Sequence, residues 1–339
     1  MAGAESVTLK TLARELGLNV STVSRVLNDP AGADSRWASP QTSARILALA
    51  NERGYTRNPH AASLRTARSD MIGVIVPRLQ DIVLATMYEG VDEAANEQGL
   101  FTVVANSLDV ADTRRVKADM LLDRRVDGLI FGDAHLTDPY FDELRGRGVP
   151  FVLINRTCGD HPAVTCDDYL GGRLVAEHFA ETGRTRFGVV AGDASTSTAR
   201  DRVRGFVDGL AERGLEVPAE RIVHGGFDAP AGQRAAIRLL ERGDVPEAIF
   251  AVNDFAAIGA LGVLQERGLR VPDDVALAGF NDTQLAAGVN LTTVRSPMRE
   301  IGRRGLQTLQ DLIGGKDVHS VQLEPALVVR GTAARVAAV

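Results

Sequence analysis

Four side chains able to hydrogen-bond with nucleic acid recur at helical spacing in residues 21–28. They are Ser21, Thr22, Arg25 and Asn28. Small hydroxyl groups permit close approach to a DNA groove, and an arginine fork matches the O6 and N7 edge of guanine. The pattern favours recognition of DNA base edges and phosphates.

Two short helices joined by a tight turn would position these side chains. Thr8 can cap the first helix, and Gly17 can end it because glycine tolerates positive φ. Asn19 can cap the second. The first helix has an apolar face at i, i+3, i+4 and i+7 made of Leu9, Leu12, Ala13 and Leu16. The spacing predicts a helix-turn-helix, and the alternative is a generic helical hairpin with a solvated face.

A second set of polar side chains directly follows apolar, β-rich runs. Asn155 follows VPFVLI, Asn253 follows AIFAV and Asn281 follows VALAGF. Open α/β sheets bind ligands at the carboxyl ends of their strands, so these amides indicate a site for a polyhydroxylated small molecule. The alternative for each is an Asx turn or a helix cap.

Strand-like runs alternate with amphipathic helices from Met71 onward. The predicted strands are MIGVIVP, LFTVVAN, VDGLIFG, VPFVLIN, RFGVVAG, AIFAVN and VALAGF. Such alternation predicts parallel sheets with helices on both faces, and its length favours two lobes. No G-x-G-x-x-G or P-loop motif is present, so no dinucleotide or ATP cofactor is expected.

The composition of the 339 residues is that of an ordinary globular protein. Cys158 and Cys166 form neither a disulfide framework nor a C-x-x-C motif, and no histidine pair predicts a metal site. The start of the chain has no apolar run typical of a signal peptide, and no run approaches a membrane span. We therefore expect a cytoplasmic protein without a membrane partner.

The net charge of −6 is unevenly distributed. Residues 1–69 hold nine Lys or Arg and five Asp or Glu, a surplus of four positive charges, and the remainder carries −10. A basic head on an acidic body is expected when only the head meets phosphate.

Two further helix starts are predicted between the helix-turn-helix and the α/β region. Ser39 and Pro40 begin a third helix, as cap and first helical residue, after a loop that holds Trp37. Trp37 either contacts DNA or a partner, or folds back on the helices. Asn58 and Pro59 can then begin a helix too short to be stable alone, which favours a hinge that folds on DNA. A plain linker is the alternative.

The stretches VTLKTLA (7–13) and NVSTVSRVLN (19–28) resemble the opening of the lactose repressor–galactose repressor family of bacterial transcription regulators. The resemblance implies a multidomain chain, with an all-α helix-turn-helix head and a two-lobed effector core like the periplasmic sugar-binding proteins. We place the head at 1–57, the hinge at 58–69 and the core at 70–339. The first lobe would span about 70–168 and 292–325, and the second about 169–291.

The resemblance also implies how DNA is bound. A homodimer would place the second helix of each head in a major groove of a pseudo-palindromic operator, at the bacterial nucleoid. Val20 and Ser21 would choose the sequence, and Arg25 is the expected base contact. Leu64, beside Ala61, would wedge into the minor groove. The remaining expected contacts, mostly to phosphate, are Thr8, Asn19, Thr22, Ser24, Asn28, Ser39 and Thr42.

For the effector, the resemblance selects Arg200, Asn253 and Asn281 as gripping residues, and Asn155 follows from its place after a strand. Phe227 would stack on a sugar face, although a core role is an equal alternative. Pro77 and Met298 would add apolar wall. No cofactor is expected beyond this effector, which could be a sugar, a nucleoside or a sugar acid.

Two other functions compete with a repressor. A sugar receptor for transport would need an export signal and no DNA head. An enzyme on a doubly wound fold would need a nucleophile elbow, a metal motif or a phosphate loop, and none is found. Both are disfavoured. The sequence does not decide between inducer and co-repressor, and the absence of the lactose repressor's leucine heptads favours a dimer.

Overall fold

The computed structural model describes residues 7–29, 35–55 and 68–334. The chain divides into a unit of residues 1–67 and a unit of residues 68–339. Most of the expected hinge, including Ala61 and Leu64, lies outside the described residues. We call the first unit the head and the second unit the core.

The head contains three described helices, α1 (Leu9–Leu16), α2 (Val20–Leu27) and α3 (Pro40–Glu52). Gly17 has a φ of 68° and ends α1 in the left-handed conformation that glycine tolerates best. The helices bury one small apolar cluster that consists of Leu12, Ala13, Val23, Val26, Ile46 and Ala50. The apolar residues that recur at helical spacing in the sequence therefore form the face along which the helices of the head pack.

The first lobe of the core contains a parallel six-stranded sheet. Its strands are β1 (Met71–Val76), β2 (Phe101–Asn106), β3 (Gly128–Phe131), β4 (Phe151–Ile154), β5 (Ala163–Cys166) and β11 (Val321–Leu323). The helices of this lobe are α4 (Ile82–Glu97), α5 (Ala111–Asp123), α6 (Pro139–Gly146) and α12 (Met298–Ile313). In the sheet order β11-β5-β4-β3-β1-β2, strand β2 is an edge.

The second lobe repeats the plan with the order β12-β10-β9-β8-β6-β7. Its strands are β6 (Phe187–Gly192), β7 (Ile222–His224), β8 (Ala248–Ala251), β9 (Ala276–Asn281), β10 (Thr292–Arg295) and the antiparallel β12 (Ala326–Val328). Its helices are α7 (Asp168–Glu181), α8 (Ser197–Ala211), α9 (Ala229–Glu241), α10 (Asp254–Glu266) and α11 (Gln284–Gly288). Two 3-10 turns, Ala219–Arg221 and Gly331–Ala333, complete the lobe.

We expected the chain to return to the first lobe at Thr292, and the strand order shows that this expectation was wrong. Thr292 pairs with Ala278 and Arg295 with Asn281, so residues 292–295 form β10 of the second sheet. The chain enters the first lobe only after Arg295, contributes α12 and β11, and crosses again before β12. The short β9–α11–β10 connection keeps β10 beside β9, because sequential elements tend to be neighbours in space.

Helices α7 and α8 approach each other closely at glycine. A Cβ on Gly172 would lie 2.2 Å from the carbonyl oxygen of Arg202, and one on Gly205 would lie 2.0 Å from that of Tyr169. Any larger residue would force the helices apart. This contact sets the distance between Asp168 at the start of α7 and Arg202 on α8.

Within the described ranges, no helix is both long enough and apolar enough to cross a membrane. The same residues contain no cluster of three or more His, Cys, Asp or Glu side chains that could hold a metal ion. Cys158 and Cys166 are buried free thiols. Burial raises the pKa of the Cys166 thiol to about 12.

Candidate functional site: an effector cleft and a nucleic-acid interface

A cleft that is partly open to solvent lies between the lobes. It combines amides, two guanidinium groups and a small apolar wall. Its lining consists of Asp81, Val83, Leu84, Asn155, Arg156, Thr198, Arg202, Phe227, Asn253 and Asn281. Four residues selected from the sequence therefore meet here, namely Asn155, Phe227, Asn253 and Asn281.

Strand ends aim two of these amides into the cleft. Asn155 follows β4 with a φ of 67°, and Asn281 ends β9 with a φ of 111°. Both side chains are at least nine-tenths buried. The Oδ1 atom of Asn281 accepts no hydrogen bond from the described residues. A buried acceptor without a donor is costly, so Asn281 is suited to a ligand hydroxyl.

Asn253 plays the structural role that the sequence left open, and it also lines the cleft. Its Oδ1 accepts a hydrogen bond from the N–H of Ala256 at 2.9 Å and caps α10. Its Nδ2 donates to the carbonyl oxygen of Phe227 at 2.7 Å. Asn253 thus holds the segment that presents the Phe227 ring, which packs on the core and borders the cleft.

The selection of Arg200 was wrong in position, because Arg202 occupies the cleft. Arg200 is half-exposed and pairs with its neighbour Asp201 at 2.8 Å. Two residues along a helix correspond to a rotation of about 200°, so the two arginines point to opposite sides. Thr198, Arg202 and Phe206 share one face at i, i+4 and i+8, and all three are buried. That periodicity was the available signal for Arg202.

Arg202 is held by three groups of the second lobe. Its Nε donates to Oδ1 of Asp168 at 2.7 Å, and its Nη1 donates to the carbonyl oxygen of Val252 at 2.7 Å. The guanidinium lies 3.7 Å above the ring of Phe280. Burial raises the pKa of Asp168 to about 6, although the nearby Arg202 charge opposes the rise. The arginine is therefore fixed before any ligand arrives.

Arg156 is a second arginine of the cleft, and like Asn155 it directly follows β4. Its Nη1 and Nη2 donate to the Asp109 carboxylate at 2.8 and 3.2 Å. Burial alone would raise the pKa of Asp109, but hydrogen bonds from His135 and Arg156 hold it well below its usual range. The Arg156 guanidinium also lies 5.6 Å from the Phe227 ring of the other lobe.

Asp81 was also missed. It caps α4 by accepting from the N–H of Val83 at 3.0 Å, and it is one of the residues that line the cleft. Burial raises the pKa of Asp81, and the nearby Arg156 charge opposes this. In the sequence, the only indication of this residue was that an aspartate able to cap a helix precedes an apolar run.

Two expected wall residues do not line this cleft. Pro77 is buried directly after β1, outside the residues that line the cavity. Met298 borders a separate shallow hollow together with Arg295 and Ser296. The turn of the chain after Arg295 directs Met298 there, while Asn281 borders both spaces.

In the head, the helix caps form as expected. Thr8 and Thr11 make a reciprocal capping box, Asn19 accepts from the N–H of Ser21 at 2.9 Å, and Ser39 accepts from the N–H of Thr42 at 3.2 Å. These caps begin α1, α2 and α3, so the polar atoms of all three lie at helix N-termini. Such termini favour anions, including phosphate.

The outward face of α2 carries the residues expected to read DNA. Val20, Ser21 and Arg25 are exposed, and Thr22, Ser24 and Asn28 are half-buried. Asn28 donates from Nδ2 to the carbonyl oxygen of Ser24 at 2.5 Å, one turn earlier. The Arg25 guanidinium lies 4.6 Å from the centre of the Trp37 ring. This face presents hydroxyl groups and one arginine, and no bulky side chain of α2 obstructs it.

A helix-turn-helix head on the same chain as a two-lobed ligand-binding core defines the class of effector-controlled transcription regulators. Residues 176–333 match the family described as a periplasmic binding protein-like domain. The chain is 32% identical to the HTH-type transcriptional regulator DegA of Bacillus subtilis (strain 168), over 95% of this chain and 97% of DegA.

Solved structures agree with this class. The Lac repressor dimer bound to operator and the anti-inducer ONPF is 27% identical, with a TM-score of 0.87 over 97% of this chain and 99% of the repressor. The transcriptional regulator CelR in complex with cellobiose is 29% identical, with a TM-score of 0.73 over 96% of this chain and 99% of CelR. The protein belongs to the lactose repressor–galactose repressor family of helix-turn-helix transcriptional regulators.

Proposed function

We propose that this protein is a cytoplasmic transcriptional repressor whose homodimer binds a pseudo-palindromic operator and is controlled by a neutral, polyhydroxylated effector. The observation that carries the proposal is the cleft, where Asn155, Asn281 and Arg202 converge from two lobes. The related Lac repressor and CelR bind an operator and cellobiose, respectively, which supports both halves of the proposal.

The pairing of charges in the cleft favours a neutral effector. Arg156 is paired with Asp109, and Arg202 with Asp168, so neither guanidinium needs a ligand anion. Asp81 adds a further acidic group to the lining. A carboxylate or phosphate on the ligand would be repelled by Asp81 and would compete with existing ion pairs. Neutral sugars are therefore favoured over sugar acids and sugar phosphates.

The polar lining suits hydroxyl groups on several sides of a ligand. Asn281 offers an unpartnered buried acceptor, and Arg156 has a buried Nε without a hydrogen bond in the described residues. Phe227 supplies an apolar face beside these groups. A polyhydroxylated ring with one C–H face meets both requirements, because it donates, accepts and packs at once.

For DNA binding, we propose that Arg25 contacts a guanine and that Val20 and Ser21 select neighbouring bases. Thr22 and the polar groups of Thr8, Asn19, Ser24, Asn28, Ser39 and Thr42 would position the head on the phosphates. The proposed minor-groove contacts of Ala61 and Leu64 complete the interface.

An apolar edge of the first lobe supports the proposed homodimer. Large exposed side chains cluster on edge strand β2, on the loop after it and on α5, and these are Phe101, Leu108, Val110, Val116 and Met120. Exposed sheet edges with apolar side chains are prone to association, and such patches on soluble proteins mark interfaces. A second copy of the chain would bury this surface.

The first experiment is DNA selection followed by a ligand screen. Wild-type protein would select duplexes from a randomised pool, and fluorescence anisotropy would then follow one selected duplex with neutral sugars, sugar acids, sugar phosphates and nucleosides. We expect a two-fold symmetric consensus and a response to a neutral sugar. Release from DNA would identify an inducer, and tighter binding a co-repressor. No selected consensus would contradict the DNA-binding proposal, and a response only to anionic compounds would contradict the neutral effector.

A further inference from the structure

Trp37 is the only tryptophan of the chain, and the guanidinium groups of two arginines of the head lie against its ring. The guanidinium carbon of Arg25 is 4.6 Å from the centre of its ring, and that of Arg36 is 4.8 Å away. The indole is 41% exposed, so it does not serve as an ordinary core residue. Both distances are within the range of a cation–π contact.

A chain of hydrogen bonds ties Trp37 to the end of α2. The N–H of Asp29 donates to the carbonyl oxygen of Val26 at 3.2 Å. The Oγ of Ser35, which is buried, donates to the Asp29 carboxylate at 2.8 Å and accepts from the N–H of Trp37 at 3.3 Å. The backbone of Trp37 is thus anchored to the end of the same helix that carries Arg25.

In the described part of the head, the Arg25 guanidinium lies over the Trp37 ring. An exposed arginine samples many rotamers, and ordering such a side chain on binding opposes affinity. A ring stacked on the face of a guanidinium restricts those rotamers and leaves the N–H donors at its edge available. Those edge donors are the atoms that pair with guanine O6 and N7.

We propose that Trp37 is a specificity-determining positioning residue, which holds Arg25 by stacking so that its N–H edge is ready to read a base. The inference rests on the proposed role of Arg25 in DNA recognition. It differs from a direct DNA contact by Trp37, because the indole then acts only through Arg25.

The stacking itself is tested without DNA, using the fluorescence of the single tryptophan. Arg25→Ala should uncover one face of the ring and raise the acrylamide quenching constant of Trp37. Arg45→Ala, which removes an equal charge from the exposed face of α3, is the control and should leave quenching unchanged. Equal quenching in wild type and Arg25→Ala would overturn the stacking.

The role in specificity is tested on a duplex selected by the wild-type protein and on single-base variants of it. Trp37→Leu should reduce the preference for the selected duplex about two- to fivefold, the range of a surface cation–π contact, and Trp37→Phe should retain most of it. In an Arg25→Ala background, Trp37→Leu should have no further effect. Circular dichroism melting would verify that each head folds.

The possible results distinguish failure of the positioning role of Trp37 from failure of the proposed function. An undiminished preference in Trp37→Leu, an equal loss on all duplexes, or an effect that persists without Arg25 would overturn the positioning role. Failure of wild-type protein to prefer any duplex would instead contradict the proposed function, and the quenching experiment would still decide whether Trp37 holds Arg25.

Discussion

The Nε of Arg202 on α8 donates to Oδ1 of Asp168 at the start of α7 across 2.7 Å, and both side chains are buried. The glycine contact between α7 and α8 makes this distance possible, since Gly172 meets the backbone of Arg202 itself. The arginine is oriented by its carboxylate partner, so its remaining surface can face the cleft without further ordering. We expect the ligand to bind against this preoriented pair.

Arg202→Lys should weaken the effector response by about tenfold or more, because lysine keeps the charge but lacks the planar fork that bonds two partners. Arg200→Lys is the matched control on the same helix and should respond like wild type. The measurement is the effector concentration that produces half of the full change in fluorescence anisotropy of a selected duplex. Arg202→Ala is a poor substitute, because an unpaired buried Asp168 would cost about 3–5 kcal/mol of stability. Equal responses of the two lysine variants would contradict this assignment.

Arg25→Ala should strongly reduce the preference among DNA sequences and leave salt-sensitive, non-specific binding. One bidentate base contact contributes about 1–3 kcal/mol of discrimination, whereas phosphate contacts act on every sequence alike. Competition titrations at two salt concentrations measure both quantities. Arg14→Ala, on the exposed face of α1, is the control and should preserve the preference. An intact preference in Arg25→Ala would remove this residue from base recognition.

Phe101→Glu combined with Val116→Glu should convert the protein to a monomer, because each change places a charge in the apolar edge of the first lobe. Light scattering after size-exclusion chromatography measures the mass. Val245→Glu introduces one charge at another exposed apolar residue, in the second lobe, and should leave the dimer intact. A dimeric double variant would show that the copies associate through another surface.

Asp254→Asn should flatten the pH dependence of stability between pH 5 and 7.5. Burial raises the pKa of Asp254 to about 6, while hydrogen bonds from Thr293 at 2.5 Å and Thr283 at 2.7 Å limit the rise. Protonated Asp254 therefore stabilises the native state relative to the unfolded state. Its contribution to stability is complete below the unfolded pKa of 3.8 and is lost as the pH rises through 6.

The expected size of this effect is on the order of 1 kcal/mol across that range. Urea unfolding of wild type and variant at several pH values measures the difference between their slopes. Asp273→Asn, at an exposed position, is the control and should keep the wild-type slope. Identical slopes for wild type and Asp254→Asn would show that this carboxyl group does not titrate in the range.

Rules that act over short stretches of sequence were sufficient to predict much of the secondary structure. The caps Thr8, Asn19 and Ser39 were predicted because a hydroxyl or amide before an apolar helical repeat satisfies free N–H groups. All seven predicted strands of the core exist, because buried parallel strands read as continuous apolar runs. The three amides selected after those strands, Asn155, Asn253 and Asn281, all line the cleft, because ligands bind at the carboxyl ends of parallel strands.

Residues brought in from distant segments were not predicted. Asp109 and Arg156 are 47 positions apart and form a bidentate pair only because two strands end at the same edge of the sheet. The choice between Arg200 and Arg202 depended on the rotation of α8 against α7, which glycine packing decides. The placement of β10 in the second sheet depended on pairing with β9 and not on its own residues.

The sequence by itself determined the family, the helix-turn-helix and the kind of chemistry at the strand ends, because these depend on short-range spacing and on motifs of adjacent residues. The tertiary structure decided which arginine of α8 enters the cleft, which carboxylates pair with the two guanidinium groups there, and that Trp37 lies against Arg25. Those relationships arise from the packing of elements far apart in the chain, and a linear pattern does not encode the distance between two side chains on different elements.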